Sequence, residues 1–123
     1  MTSLEGKTAL VTGASKGIGR AIALAFGEAG ANVVATARTQ SEIDEITKAI
    51  TSQGSQALGV IADLGVESDI YELADTATQA FSAIDILVNN AAIIHPRIAV
   101  AYFDPDLWRD VLNVNLTGAF LIT

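Results

Sequence analysis

The sequence predicts an α/β fold, a doubly wound parallel sheet of about four strands in the order 3-2-1-4. Two observations carry this expectation. Strand-like runs alternate with helical periodicities four times along the chain. Each strand-like run is a continuous apolar stretch, not a strict alternation, which is the signature of strands covered on both faces by helices. Right-handed crossovers between parallel strands then lead to the doubly wound form. The bulk composition agrees: 123 residues, half of them hydrophobic and 17% charged, suffice for one domain around one modest core.

The elements follow in order. Residues 8–11 (TALV) are short and apolar, fit for a buried strand. A glycine-rich loop, TGASKGIG, occupies 12–19. Ile18, Ala21, Ile22, Ala25, Phe26 and Ala29 then recur at helical spacing, and Gly30 is a helix stop. Residues 31–36 (ANVVAT) form the second strand. Ser41 is the expected cap of the next helix, which carries Ile43, Ile46 and Ile50 on one face and ends at Gly54. Residues 57–61 (ALGVI) are the third strand, and Asp63 and Gly65 mark a turn. Ile70, Leu73, Ala74, Ala77 and Phe81 outline a third amphipathic helix, and 84–88 (IDILV) a fourth strand. The mixed, proline-interrupted stretch after it reads as a loop. Asp104 followed by Pro105 opens a final helix, a capping carboxylate and then a proline at the first helical position. That helix is expected from Asp106 past Leu116, with Leu107, Val111 and Val114 on one side and Trp108, Leu112 and Asn115 on the next.

Several function classes are disfavoured. The net charge is −7, and seven Lys and Arg residues spread along the chain form no basic patch, so no nucleic-acid partner is expected. There is no cysteine, hence no disulfide framework and no thiolate chemistry. No apolar run reaches the roughly 18–20 residues of a bilayer span, and MTSLEGK does not read as a signal peptide, so no membrane partner is expected and a cytoplasmic location is. Glu67, Asp69, Glu72 and Asp75 read as a solvated helix face, and the lone His95 has no partner for metal binding.

The loop is the informative feature. Between a strand and a helix, its backbone N–H groups converge on one spot, and the helix N-terminus adds partial positive charge, which together make an anion site. Gly13 would permit the tight turn, Gly17 the approach of a pyrophosphate, and Gly19 the close packing of helix on sheet. A glycine-rich turn with no ligand is the plainer alternative. A P-loop is excluded, because Lys16 precedes Gly17 and GxxxxGK[ST] is absent.

The spacing TGxxxGxG resembles the short-chain dehydrogenase/reductase family, its classical branch. Three further stretches match in order: Asp63 in IADLG, Asn89-Asn90-Ala91-Ala92, and Asn115 in NVNLTGAF. The resemblance covers essentially the whole chain. It implies a Rossmann-type domain and an oxidoreductase that moves a hydride between a nicotinamide dinucleotide and a carbonyl or secondary alcohol. It implies cofactor contacts from Gly13, Ser15, Lys16, Gly17, Ile18, Gly19, Arg38, Thr39, Asp63, Leu64, Asn90, Ala91 and Ala92, and a catalytic role for Asn115. Asp63 would contact the adenine, although an Asp after a strand can also simply cap a turn. Ala92 stands where the family usually has glycine.

The expected cofactor is NADP. An NAD site has an acid at the end of the second strand for the ribose 2′-OH. Ala37 holds that place, Arg38 follows, and no carboxylate falls nearby until Glu42. A guanidinium suits a phosphate by a bidentate contact. In the family, a basic residue at the position of Lys16 accompanies NADP. Lys16 and Arg38 would converge on the 2′-phosphate with Thr39 as a hydroxyl donor; as a plainer alternative, both are solvated surface charges.

The resemblance also implies a serine and a YxxxK pair. Neither Tyr71 nor Tyr102 has lysine four residues on, so these are expected beyond Thr123. The chain is accordingly expected to be the N-terminal cofactor-binding part (1–123) of one domain, inactive alone, with a full-length parent that is a homodimer or homotetramer. A non-catalytic dinucleotide-binding protein is the alternative. Residues 93–97 would border the substrate entrance, where His95 would touch substrate or be idle, and Trp108 is expected in core or subunit packing.

Overall fold

Strands β1 (Thr8–Thr12), β2 (Asn32–Ala37), β3 (Ala57–Ile61) and β4 (Ile86–Val88) form one parallel sheet in the order β3-β2-β1-β4. This computed structural model describes residues 3–123, so the first two residues of the N-terminal stretch discussed above lie outside the described residues. Helices α1 (Gly17–Glu28), α2 (Gln40–Ser52) and α3 (Glu67–Phe81) connect the strands. After β4 come a long loop with a 3-10 turn (Val100–Tyr102), α4 (Pro105–Leu112), a π-helical segment (Asn113–Gly118) and α5 (Ala119–Ile122). The predicted fold class and strand order are those observed.

The continuous apolar runs have the anticipated cause. Alternate residues of the central strands enter two cores. Val11, Val33 and Ala35 join Ala23 of α1 and Ile43, Ile46 and Ile50 of α2 on one face. Leu10 and Val34 join Ile70, Leu73 and Ala77 of α3 on the other, with Leu121 and Ile122 of α5 packed against them. All five residues of β1 are buried. Fully burying a side chain such as Ile46 is worth about 1.5–3 kcal/mol, so these two layers hold the sheet.

Four local expectations need correction. On α1 the buried ridge is Gly19, Ala23 and Gly27, whereas Ile18 is 73% exposed and Ala21 and Ala25 are exposed. Close approach leaves no room for larger residues at two points of this line, where Gly19 faces the Gly13 carbonyl and Asn90 and Gly27 faces Ile50 and Gln53 at the end of α2, and Ile22, Leu24 and Phe26 pack from the flanks. Helix α2 begins at Gln40, with Thr39 and not Ser41 at its N-cap and no side-chain cap bond. Strand β4 is limited to Ile86–Val88: Asp85 still donates its N–H to the Thr8 carbonyl at 2.9 Å, but its carboxylate accepts the Thr8 N–H at 2.8 Å and so takes that donor out of the ladder. The last helix opens as predicted, with Asp104 capping the Asp106 N–H at 2.9 Å, but it widens into a π turn that periodicity alone did not reveal.

Candidate functional site

The parallel register brings the C-terminal ends of the strands to one edge: Thr12 lies beside Thr36, Val11 beside Val88, and Ala37 beside Ile61. The connection after β1 runs outward to β2, and the connection after β3 returns across the sheet to place β4 on the other side of β1, so the strand order reverses at β1. Such a switch point leaves a crevice outside the strand ends, where ligands of open α/β sheets bind. A cavity of about 590 Å³ occupies this place, within the size range of small-molecule sites.

Its floor is tied by Thr12 and Asn90. The Thr12 hydroxyl donates to the Val88 carbonyl (3.2 Å) and accepts from the N–H groups of Asn90 and Ala91 (3.0 Å each). In return, the Asn90 amide donates to the carbonyls of Thr12 and Gly13, both at 3.1 Å. These bonds lock the ends of β1 and β4 and shape the turn into α1. Gly13 adopts φ +62°, and a Cβ there would lie 2.9 Å from Asn90 Nδ2. A Cβ on Gly19 would overlap Gly13 O and Asn90 Nδ2, so only glycine allows this approach.

The N-terminus of α1 is left available to an anion. Lys16, its N-cap residue, makes no side-chain cap bond, and the first turn has no acidic residue. Gly17, at φ +55°, has nothing within 4 Å of a hypothetical Cβ, so the space before the helix is open. At the adjacent strand end, Thr36 lines the cavity with a buried hydroxyl that has no hydrogen-bond partner among the described residues. Buried polar groups are nearly always paired, so this hydroxyl calls for a polar group from the cavity side. An orphaned hydroxyl, an uncapped helix terminus and a glycine cradle together fit a bound phosphorylated nucleotide.

Of the sequence-predicted residues, Gly13, Ser15, Lys16, Arg38, Thr39, Asp63, Leu64, Asn90, Ala91 and Ala92 all line this one cavity. Gly17 and Ile18 stand outside its wall on the exposed start of α1, and Gly19 lies buried beneath the loop. Arg38 is exposed and enters no ion pair among the described residues, whereas Lys16 Nζ lies 3.4 Å from Glu42 Oε1. Asp63 does cap a turn, accepting the Gly65 N–H at 2.8 Å, while its own N–H donates to Asp69 Oδ2 at 2.9 Å. Ala92 is exposed on the wall.

Asn115 does not line the cavity but grips its rim. Its Oδ1 accepts the Ile93 N–H at 2.7 Å, and its Nδ2 donates to the Ile93 carbonyl at 3.1 Å. Asn113, two residues earlier, donates to the Gly65 carbonyl at 2.7 Å. Both carboxamides come from the π segment, and each fixes a different loop of the cavity. His95 is exposed, stacked edge-on against Phe103, with Nδ1 2.8 Å from the Pro96 carbonyl. Trp108 is 55% exposed and lies in T-shaped contact with Phe103, ring centroids 6.1 Å apart, so it is not a core residue.

Of residues 93–97, Ile93 and Ile94 line the wall; sequence reasoning missed Thr36, Glu42, Ala62 and Val114 as wall residues. A threonine closing an otherwise apolar strand was a usable signal for the first. Among the described residues, no group of three His, Cys, Asp or Glu side chains could hold a metal ion, and no helix is long and apolar enough to cross a membrane.

The family model for short chain dehydrogenase matches residues 7–123. The chain is 41% identical over 119 residues to glucose 1-dehydrogenase 2 of Bacillus subtilis, covering 96% of this chain and 46% of that enzyme. A metagenomic short-chain oxidoreductase in complex with NADP superimposes with a TM-score of 0.93 at 35% identity, covering 97% of this chain and 54% of that one. The 3-ketoacyl-(acyl-carrier-protein) reductase of Brucella melitensis, complexed with NADH, gives 0.90 at 36% identity, covering 98% and 48%. The chain spans about half the length of the curated relatives it matches.

Proposed function

Since the chain belongs to the short chain dehydrogenase family, we propose that residues 1–123 are the cofactor-binding part of one Rossmann-type domain in an NADP-dependent oxidoreductase. Its substrate is a small molecule with a carbonyl or secondary alcohol, and the full-length protein is a homodimer or homotetramer. The observation that carries the cofactor reading is the end of β2: Ala37 replaces the acid of an NAD site, and Arg38 beside it has no internal counter-ion among the described residues.

Each wall residue then has a task. Gly13, Ser15, Gly17 and Ile18 present the loop and the N-terminus of α1 to the pyrophosphate, and Gly19 lets that helix come close enough. The Thr36 hydroxyl gains a partner. Lys16, Arg38 and Thr39 receive the 2′-phosphate. Asp63 and Leu64 border the adenine, and Asn90, Ala91 and Ala92 border the nicotinamide end. When bound, the nicotinamide supplies the hydride chemistry. Both ends of the Asn115 carboxamide are held by Ile93, so its part is to position the loop at the reacting end rather than to touch substrate with its side chain.

Calorimetric titration of the chain with NADPH and NADH tests the assignment. NADPH is expected to bind about tenfold or more tightly, as one or more charged hydrogen bonds to the added phosphate require. Equal or tighter binding of NADH would refute it.

A further inference from the structure

Glu42 stands in the first turn of α2, and its carboxylate reaches toward the glycine loop to Lys16, 3.4 Å from Nζ. Its side chain is only 33% exposed. It therefore belongs to the cavity wall and not to the solvated face of α2, and it lines the same cavity as Lys16, Arg38 and Thr39. Nothing in the alternation of strands and helices required an acid here. The neighbouring pair on the same two helices, Arg20 and Glu45, has the same 3.4 Å separation but stands outside the cavity.

Resting on the reading that this end of the cavity receives the adenine ribose, we propose that Glu42 is a specificity-determining residue that opposes NADP. A phosphate monoester carries between one and two negative charges near neutral pH. To reach Lys16 it must draw the ammonium away from Glu42, and it then stands beside a carboxylate that has lost its partner. A ribose that ends in a hydroxyl meets neither obstacle, because the hydroxyl can donate to the carboxylate and Lys16 can stay where it is. Lys16 and Arg38 thus favour the phosphorylated cofactor, and Glu42 narrows the margin. Because the Lys16 side chain is 77% exposed, water and salt weaken the effect without abolishing it.

Adenosine 2′,5′-bisphosphate and adenosine 5′-monophosphate isolate this end of the cofactor. Both are titrated calorimetrically into the wild-type chain, Glu42→Gln and Glu45→Gln. In Glu42→Gln the bisphosphate should bind about two- to fivefold more tightly, the size expected for release of a partly exposed ion pair, while the monophosphate changes less. Glu45→Gln makes the same change in net charge and should leave the ratio of the two affinities unmoved. Thermal unfolding confirms that each variant is folded, and Glu42→Ala serves as a second variant with the same expectation. Weaker bisphosphate binding in Glu42→Gln, an unchanged ratio, or an equal effect of Glu45→Gln would overturn the proposal while leaving the cofactor reading in place. A wild-type chain that binds neither NADPH nor the bisphosphate would overturn the cofactor reading, and this proposal with it.

Discussion

Replacing Thr12 by valine removes one hydroxyl and keeps the shape. Thr12 is fully buried, and its hydroxyl serves Val88 O, Asn90 N and Ala91 N at once. The losses are unequal. Asn90 N–H also reaches the Val88 carbonyl at 3.1 Å, so it keeps a partner. Ala91 N–H keeps none among the hydrogen bonds of the described residues. Leaving such a donor unpaired costs roughly 1–3 kcal/mol, and the weakened contacts to Val88 and Asn90 add about 1 kcal/mol, for a total of about 2–4 kcal/mol. That is a large part of the 5–15 kcal/mol typical of a folded domain. The control is Thr12→Ser, which keeps the hydroxyl and loses one methyl, at about 1 kcal/mol. Urea unfolding followed by circular dichroism should place the midpoints in the order wild type, Thr12→Ser, Thr12→Val, with similar slopes. Burial alone gives the opposite order, since valine is the more apolar residue and fills the site. If Thr12→Val is as stable as the wild type, or more stable than Thr12→Ser, the hydroxyl does not tie the two strand ends.

Two other perturbations separate the remaining parts of the site. Arg38→Ala should weaken NADPH by about 10- to 100-fold, as expected from losing hydrogen bonds between charged groups, and NADH by less than about threefold; calorimetry with both cofactors reads the difference. Asn115→Ala should speed amide hydrogen exchange at Ile93 by about tenfold, reflecting roughly 1–2 kcal/mol of lost local protection, whereas Asn113→Ala, which serves Gly65 instead, should leave Ile93 unaffected.

The legible part of this sequence is the part governed by burial on two sides. Strands β1 and β2 and the isoleucine face of α2 follow from apolar runs and helical spacing, because most of those residues are buried, and edge strand β3 was legible as an apolar run although its residues are only partly buried and Ile61 is exposed. Helix α1 broke the rule for a physical reason. Its packing against the β1–α1 turn and α2 is set by close backbone approach, so the buried line is Gly19, Ala23 and Gly27 and the large side chains are pushed to the flanks or outward. A hydrophobicity pattern weighs Ile18 above Gly19, and here the geometry reverses that weight. The π segment was hidden for a related reason: its carboxamides bond to Ile93 and Gly65, far along the chain, and local periodicity carries no trace of such partners. The cavity residues contributed by the glycine loop and by the ends of β2 and β4 could be read because their spacing matches a family motif. Glu42 enters the wall only through folding, by the placement of a helix turn, whereas Thr36 left a signal in the sequence as a threonine near the end of an apolar strand.

The same hydrogen bonds that complete the sheet also aim the site. Strand β4 contributes only three residues to the ladder, too few to define where the following loop goes. The direction is supplied by polar side chains instead: Thr12 and Asn90 fix the exit from β4, and Asn115 fixes Ile93 three residues later. A purely apolar contact at these points would hold the segments together but would not orient them, since dispersion has little preference of direction, whereas a carboxamide bonded at both its oxygen and its nitrogen sets a plane. The stretch from Asn90 to Ile93 is therefore held at defined points although it belongs to no regular element. This stretch lines the cavity beyond β4, whereas Arg38 and Glu42 line it beyond β2, on the other side of β1. One side is thus shaped by neutral, directional bonds and the other by exposed charges. On the proposed cofactor reading, geometry is guarded at the end that receives the nicotinamide, and adjustable electrostatics are left at the end that meets the adenine ribose.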